Sequence, residues 1–157
     1  MRGVTHFPRV SGSNLLGNKV QLPEQLDADL NVLIVAFQRW HQSLVDSWVP
    51  FLENLLEKNP DLDYYELPTI RRMNWLYRTM LDNGMRAGIP SRETRRRTIT
   101  LYIDKEPFKD QLAIPDERDV HLFLVTPEGE VLWNASGEFN EEKGKSLSEV
   151  IRGVKGL

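Results

Sequence analysis

Two stretches of this sequence carry side chains able to do chemistry. The first is Gln38-Arg39-Trp40-His41-Gln42, which lies between an apolar run and a helical pattern. Free amides at the start of a helix, together with the helix dipole, attract an anion or a carboxylate. Arg39 and His41 add positive charge there, and an imidazole titrates near neutrality. The other reading is a surface loop with Trp40 packed into the core and His41 exposed.

The second stretch is basic. Arg71, Arg72, Arg78 and Arg86 are followed by Arg92, Arg95, Arg96 and Arg97, with no lysine among them. A guanidinium grips phosphates and carboxylates with two parallel hydrogen bonds, so this choice suits an anion or an acidic protein. Against it stands a solvated loop making salt bridges to an acidic body, since Asp and Glu total 23. Trp75 and Trp133 read as packing residues, either of which could anchor an interface.

Other chemistries lack their parts. The chain contains no cysteine, so it offers no thiolate, no disulfide and no sulfenic acid. His6, His41 and His121 are scattered without ligand spacing, so neither a metal site nor a cofactor is expected. Glu141-Glu142 and Asp61 with Asp63 stand in helix-start and turn contexts and are expected to act as caps. No glycine-rich phosphate loop and no serine-centred elbow is present. The formal net charge of -3 argues against a nucleic-acid binder. The longest apolar run, Val32–Phe37, falls far short of the roughly 20 residues of a membrane span. Residues Met1–Gly17 hold no apolar stretch like that of a secretory signal, so a cytoplasmic protein is expected.

The elements that must position these residues follow from periodicity. Asn14–Leu22 reads as two short strand pieces around a Gly-Asn turn, stopped by Pro23. Val32–Phe37 is apolar throughout, as in a strand buried on both faces. Leu44, Val45, Trp48, Phe51, Leu52, Leu55 and Leu56 form one helical stripe across Gln42–Lys58, with a kink expected at Pro50. Leu62–Leu67 is a second core strand, closed by Pro68. Ile70, Met73, Leu76, Tyr77, Met80 and Leu81 suggest a second helix, followed by an arginine-rich loop. Thr98–Ile103 and His121–Val125 are further strands, with a short helix over Glu106–Leu112. Glu130–Ala135 turns back on His121–Val125 as a hairpin. A final helix over Asn140–Val154 turns Leu147, Val150, Ile151 and Val154 inward. Alternating strands and helices predict an α/β fold with a mixed, mostly parallel central sheet flanked by helices and an N-terminal hairpin. One domain is expected over residues 1–157, with its core about 10–154.

This order resembles the thioredoxin-like superfamily, in the branch of TlpA-type and peroxiredoxin-type proteins. Leu16-Gly17-Asn18-Lys19-Val20-Gln21-Leu22-Pro23 is similar to the opening hairpin of that branch. Phe37, Pro50, Leu52 and Glu53 fall in register with its Phe-Trp-Ala-Thr-Trp-Cys-x-x-Cys-Arg-x-Glu-x-Pro-x-Leu-Glu segment. Phe123-Leu124-Val125-Thr126-Pro127-Glu128-Gly129-Glu130-Val131 is similar to its closing hairpin. The resemblance runs from about Val10 to Val154. It also places Gln42 and Val45 where the family has its two cysteines, and Val120 where it has a cis-proline. Pro115 lies too far upstream for that role. A looser resemblance is to the thioredoxin-related mitochondrial ATP synthase assembly factors, which also lack the cysteine pair. It rests on Trp40–Gln42, an arginine-containing helix, and the closing pattern Phe123–Gly129, Val131-Leu132-Trp133 and Gly137.

The resemblances imply a degenerate, cysteine-free site and a non-catalytic module that binds another protein. The alternative is a binder of a small anionic ligand. It would use the Arg39/His41 loop and the segment Arg92, Arg95, Arg96 and Arg97.

Overall fold

The strand Leu30–Ala36 (β3) divides the core in two. Its alternate residues Val32 and Ile34 join one apolar cluster, and Leu33 and Val35 join the other. A strand buried on both faces reads as a nearly continuous apolar run, and Val32–Ala36 does, with the buried Asn31 at its start the exception. The computed structural model describes residues 6–71 and 92–156. Among them the other strands are β1 (Val10–Asn14), β2 (Lys19–Leu22), β4 (Leu62–Arg71), β5 (Ile99–Ile103), β6 (His121–Val125) and β7 (Val131–Ser136). They form one seven-stranded mixed sheet in the order β2-β1-β5-β4-β3-β6-β7. Parallel pairing is confined to the centre, between β3 and β4 and between β4 and β5. The flanking pairs are antiparallel.

Helices cover the sheet: α1 (Gln42–Lys58), the short α2 (Arg92–Arg97), α3 (Lys105–Gln111) and α4 (Glu141–Val154). Helix α1 has the bounds its stripe implied, with Pro50 inside. It buries Val45, Trp48, Leu52 and Leu55 against the Val32/Ile34 face. Helix α4 starts where the Asn140 side chain accepts the Lys143 N–H at 2.8 Å. Gly144 lets α4 approach closely, because a Cβ there would stand 2.9 Å from Phe139 and 3.0 Å from Phe51. On the opposite face Phe7, Phe108 and Phe123 meet edge to face.

Several expectations are corrected. Pro68 does not close β4. The strand runs on to Arg71, because Pro68 falls where β4 leaves its ladder with β3 and takes up β5 at Thr69. A missing N–H is tolerated at such a seam. Ile70 therefore belongs to a strand, paired with Tyr102. The rest of the expected second helix, with Arg72, Trp75 and Arg78, lies outside the described residues, as does Arg86 in the loop expected after it. The segment Arg92–Arg97 is a helix rather than a loop. Val154, expected inside, is half exposed at the end of α4. Asp61 and Asp63 are not caps: Asp61 pairs with Lys155 at 3.0 Å, and Asp63 receives arginines.

At the outer edge of the sheet, β2 is closed by the chain that follows it. Gln25 accepts the Gln21 N–H through its side chain at 2.6 Å and donates its own N–H to the Gln21 carbonyl at 2.9 Å. No helix among the described residues is long and apolar enough to cross a membrane.

Candidate functional site

The carboxyl end of β3 passes into a 3-10 turn, Arg39–His41, that leads directly into α1. The His41 N–H donates to the Gln38 carbonyl at 3.0 Å, which closes the turn. The imidazole folds back under it. Its Nδ1 accepts the N–H of Phe37 at 3.1 Å and that of Gln38 at 3.3 Å. His41 is wholly buried, whereas Trp40 is 59% exposed. The expected loop with Trp40 in the core and His41 outside is thus inverted. The imidazole has backbone donors to satisfy, and the indole has none. The two rings meet edge to face with centroids 4.5 Å apart.

A second loop, residues 116–120, faces this turn. Gln38 donates its side-chain amide to the Glu117 carbonyl at 3.4 Å. Val120 is fully buried just before β6, and its carbonyl accepts the Gly137 N–H at 3.0 Å. The peptide bond in cis among the described residues precedes Pro23, not a residue of this loop. Burial holds His41 below the usual imidazole range, while the Arg118 backbone and the Asp119 and Glu117 carboxylates pull the other way. Burial lowers His121 as well, against Asp119 and Asp116. Glu117 is gripped by Lys105 at 2.8 Å and Lys109 at 2.9 Å.

Gln42, at the first turn of α1, is exposed and donates to Asp46 at 2.9 Å. On β4 the Glu66 carboxyl is pushed up by burial, and the neighbouring Gln42 amide works against that shift. Val45 is core. An amide, a buried aliphatic side chain and two carboxylates replace anything able to exchange disulfides. Among the described residues no group of three or more His, Asp or Glu is placed to hold a metal.

The arginines of α2 lie at the other end of the sheet. Asp63, their acceptor, pairs with Asn31 at the start of β3, so these arginines and Arg39 do not share a site. Arg97 is buried against the Asp63 carboxylate, the Tyr64 carbonyl at 2.8 Å and Glu93 at 2.8 Å. Arg96 reaches Asp63 at 3.2 Å, the Tyr65 hydroxyl at 3.4 Å and Glu93. Arg95 is engaged too, and its carbonyl accepts the Leu15 N–H at 3.0 Å. Arg92 is exposed at the start of α2.

Residue types alone did not single out Glu66 or the acidic run 116–119. A charged Glu66 within Tyr64-Tyr65-Glu66-Leu67, and the run Asp116-Glu117-Arg118-Asp119 before a buried strand, were the available signals.

No curated protein matches the chain. Among solved structures, BsSco, a member of the Sco family of cytochrome c oxidase assembly proteins, is similar at a TM-score of 0.63. It is 15% identical, over 98% of this chain and 95% of its own. Copper-bound yeast Sco1 is similar at 0.63 with 12% identity, over 100% of this chain and 96% of its own. The thioredoxin domain of a thiol-disulfide oxidoreductase from Bacteroides vulgatus follows at 0.56 with 16% identity, over 96% and 98% of the two chains. At these identities the likeness shows the fold, which is thioredoxin-like, with the cysteine pair absent here. The family model described as ATP10 protein matches residues 4–154. That match spans nearly the whole sequence, and the chain belongs to the ATP10 protein family.

Proposed function

We propose that this chain is a non-catalytic assembly module, a single thioredoxin-like domain that binds another protein through the Arg39–His41 turn and its surroundings. Family membership supports an assembly role, and the resemblance noted from the sequence points to ATP synthase as the complex assembled. The observation that carries the proposed surface is Trp40. An indole 59% exposed stands at the carboxyl end of a central strand, where sheets of this class present their ligands. Large exposed aromatic side chains are frequent anchors of protein interfaces. Gln42 and Val45 at the former cysteine positions leave holding rather than exchanging as the action of the site. The reading keeps the cytoplasmic location expected from the sequence.

Binding of a small anion is the weaker alternative. His41 turns inward, and Arg96 and Arg97 are already paired to Asp63 and Glu93. Arg39 and Arg92 are exposed.

The test is affinity capture from native lysate with the wild type, Trp40→Ala, and the combined change of Arg92, Arg95, Arg96 and Arg97 to Ser. A specific protein lost only with Trp40→Ala supports the reading. Equal capture by wild type and Trp40→Ala removes Trp40 from it. Loss only with the arginine variant moves the surface to α2.

A further inference from the structure

The turn that presents Trp40 is built around a ring that cannot accept a second proton in place. Nδ1 of His41 takes N–H groups from both Phe37 and Gln38, at 3.1 and 3.3 Å, so it must offer a lone pair. The neutral ring then carries its proton on Nε2, which is buried and has no hydrogen-bond partner. An imidazolium would aim an Nδ1–H at two backbone N–H groups. Donor against donor at that separation is repulsive. The ring must therefore leave its seat when it charges.

We propose that His41 is the positioning residue for Trp40. Its neutral form locks the Arg39–His41 turn, and protonation releases the turn and the indole with it.

Four connections make this local. Trp40 precedes His41 and lies edge-on to its ring at 4.5 Å. The Trp40 carbonyl accepts the Ser43 hydroxyl at 3.2 Å, so the turn is tied into the first turn of α1. The Phe37 and Gln38 amides that His41 satisfies are the last residues before the turn. The Gln38 side chain then reaches the facing loop at Glu117.

Charged groups face His41 from that loop and from β6. The Asp119 and Glu117 carboxylates and the Arg118 carbonyl favour a charged ring, and burial opposes it. His121 at the start of β6 is held down by burial as well, and a charge on His41 lowers it further. Glu117 is partly neutralised by Lys105 and Lys109. Arg39, on the turn itself, is exposed and adds positive charge against protonation. Protonation therefore needs more acid than a free imidazole does, and it costs the two backbone hydrogen bonds.

The inference deepens the proposed function and rests on it for its biological consequence, namely partner binding that weakens on acidification. The device itself is testable on the free protein, so the two can fail separately. Trp40 is one of four tryptophans, and Trp40→Phe assigns its resonance in 5-fluorotryptophan-labelled protein. Between pH 7.5 and 5 the Trp40 fluorine signal is expected to shift with the midpoint of the His41 ring protons. The Phe37 and Gln38 amides should lose exchange protection over the same interval, with far-ultraviolet circular dichroism unchanged. In His41→Asn, whose Oδ1 takes the place of Nδ1 as a non-titrating acceptor, the shift should vanish. In His121→Gln it should persist. A Trp40 signal that stays flat while His41 titrates overturns the proposal. So does a shift that survives in His41→Asn, or amide protection lost only when the whole fold is lost. Should the wild type behave as expected while Trp40→Ala still captures its partner, the device stands and the recognition reading falls.

Discussion

The guanidinium of Arg97 lies 4.1 Å from the centroid of the Tyr64 ring. Through this contact and its bonds to Asp63 and Glu93, α2 is fastened to β4. Tyr64 in turn donates its hydroxyl to Glu53 of α1 at 2.7 Å, so one residue of β4 links two helices.

Arg97→Ala should destabilise the fold by about 2–3 kcal/mol, read from the urea midpoint at pH 7. Removing one partner of a buried ion pair costs roughly 3–5 kcal/mol. The lower figure applies because Asp63 and Glu93 keep some contact with water, their side chains being 17% and 58% exposed. Arg97→Lys should recover only part of the loss, since an ammonium cannot serve the Asp63, Tyr64 and Glu93 acceptors in one plane.

Stability should be flat above about pH 6.5 and decline as pH falls below it. His41 and His121 are both held below their ordinary value of 6.5 in the folded chain. Between the folded and unfolded values the unfolded chain binds more protons, so acid favours unfolding. Urea midpoints at pH 7.5 and 5.5 should differ in the wild type and converge in the double variant His41→Asn, His121→Gln. An equal difference in both proteins would assign the effect to other groups.

Glu66→Gln should raise stability at pH 7. The Glu66 carboxyl is pushed above 4.5 by burial, so its contribution is full at low pH and is lost as pH rises through the folded value. An amide of the same shape fills the site without a charge to bury. Thermal unfolding at pH 7 and pH 4.5 should show a gain for the variant that is larger at pH 7. A lower melting temperature at pH 7 would mean that the charged form is the one the fold uses.

Trp40→Ala should leave folding stability within about 0.5 kcal/mol of wild type, as expected for an exposed side chain. Its intrinsic fluorescence should lose the component most accessible to iodide or acrylamide. A loss of several kcal/mol would show that Trp40 is part of the core after all.

Much of the fold was legible in the sequence because its signals are periodic. The run Val32–Val35 and the stripe Val45, Trp48, Leu52 and Leu55 state which faces are buried, and β3 and α1 follow from them. Two kinds of information were not local. Pro68 looked like a stop because the handover from β3 to β5 depends on a strand more than thirty positions away. The site was harder still. That Trp40 faces water and His41 does not depends on which backbone amides the turn leaves open, and hydropathy ranks the two residues the opposite way. Arg96 and Arg97 looked available because their acceptor, Asp63, lies far away in sequence on β4.

Closure of the β2 edge by Gln25 has a bearing on how copies of this protein behave at high concentration. A row of free amides and carbonyls at a sheet margin is a template on which a second chain can crystallise as a strand, the first step towards fibres. At Gln21 both main-chain groups are already taken by the same molecule, in a loop that costs no extra sequence. Replacing Gln25 with alanine would uncover that hydrogen-bonding position while leaving the apolar core untouched. The resulting protein should fold normally when dilute and show its defect as concentration-dependent association.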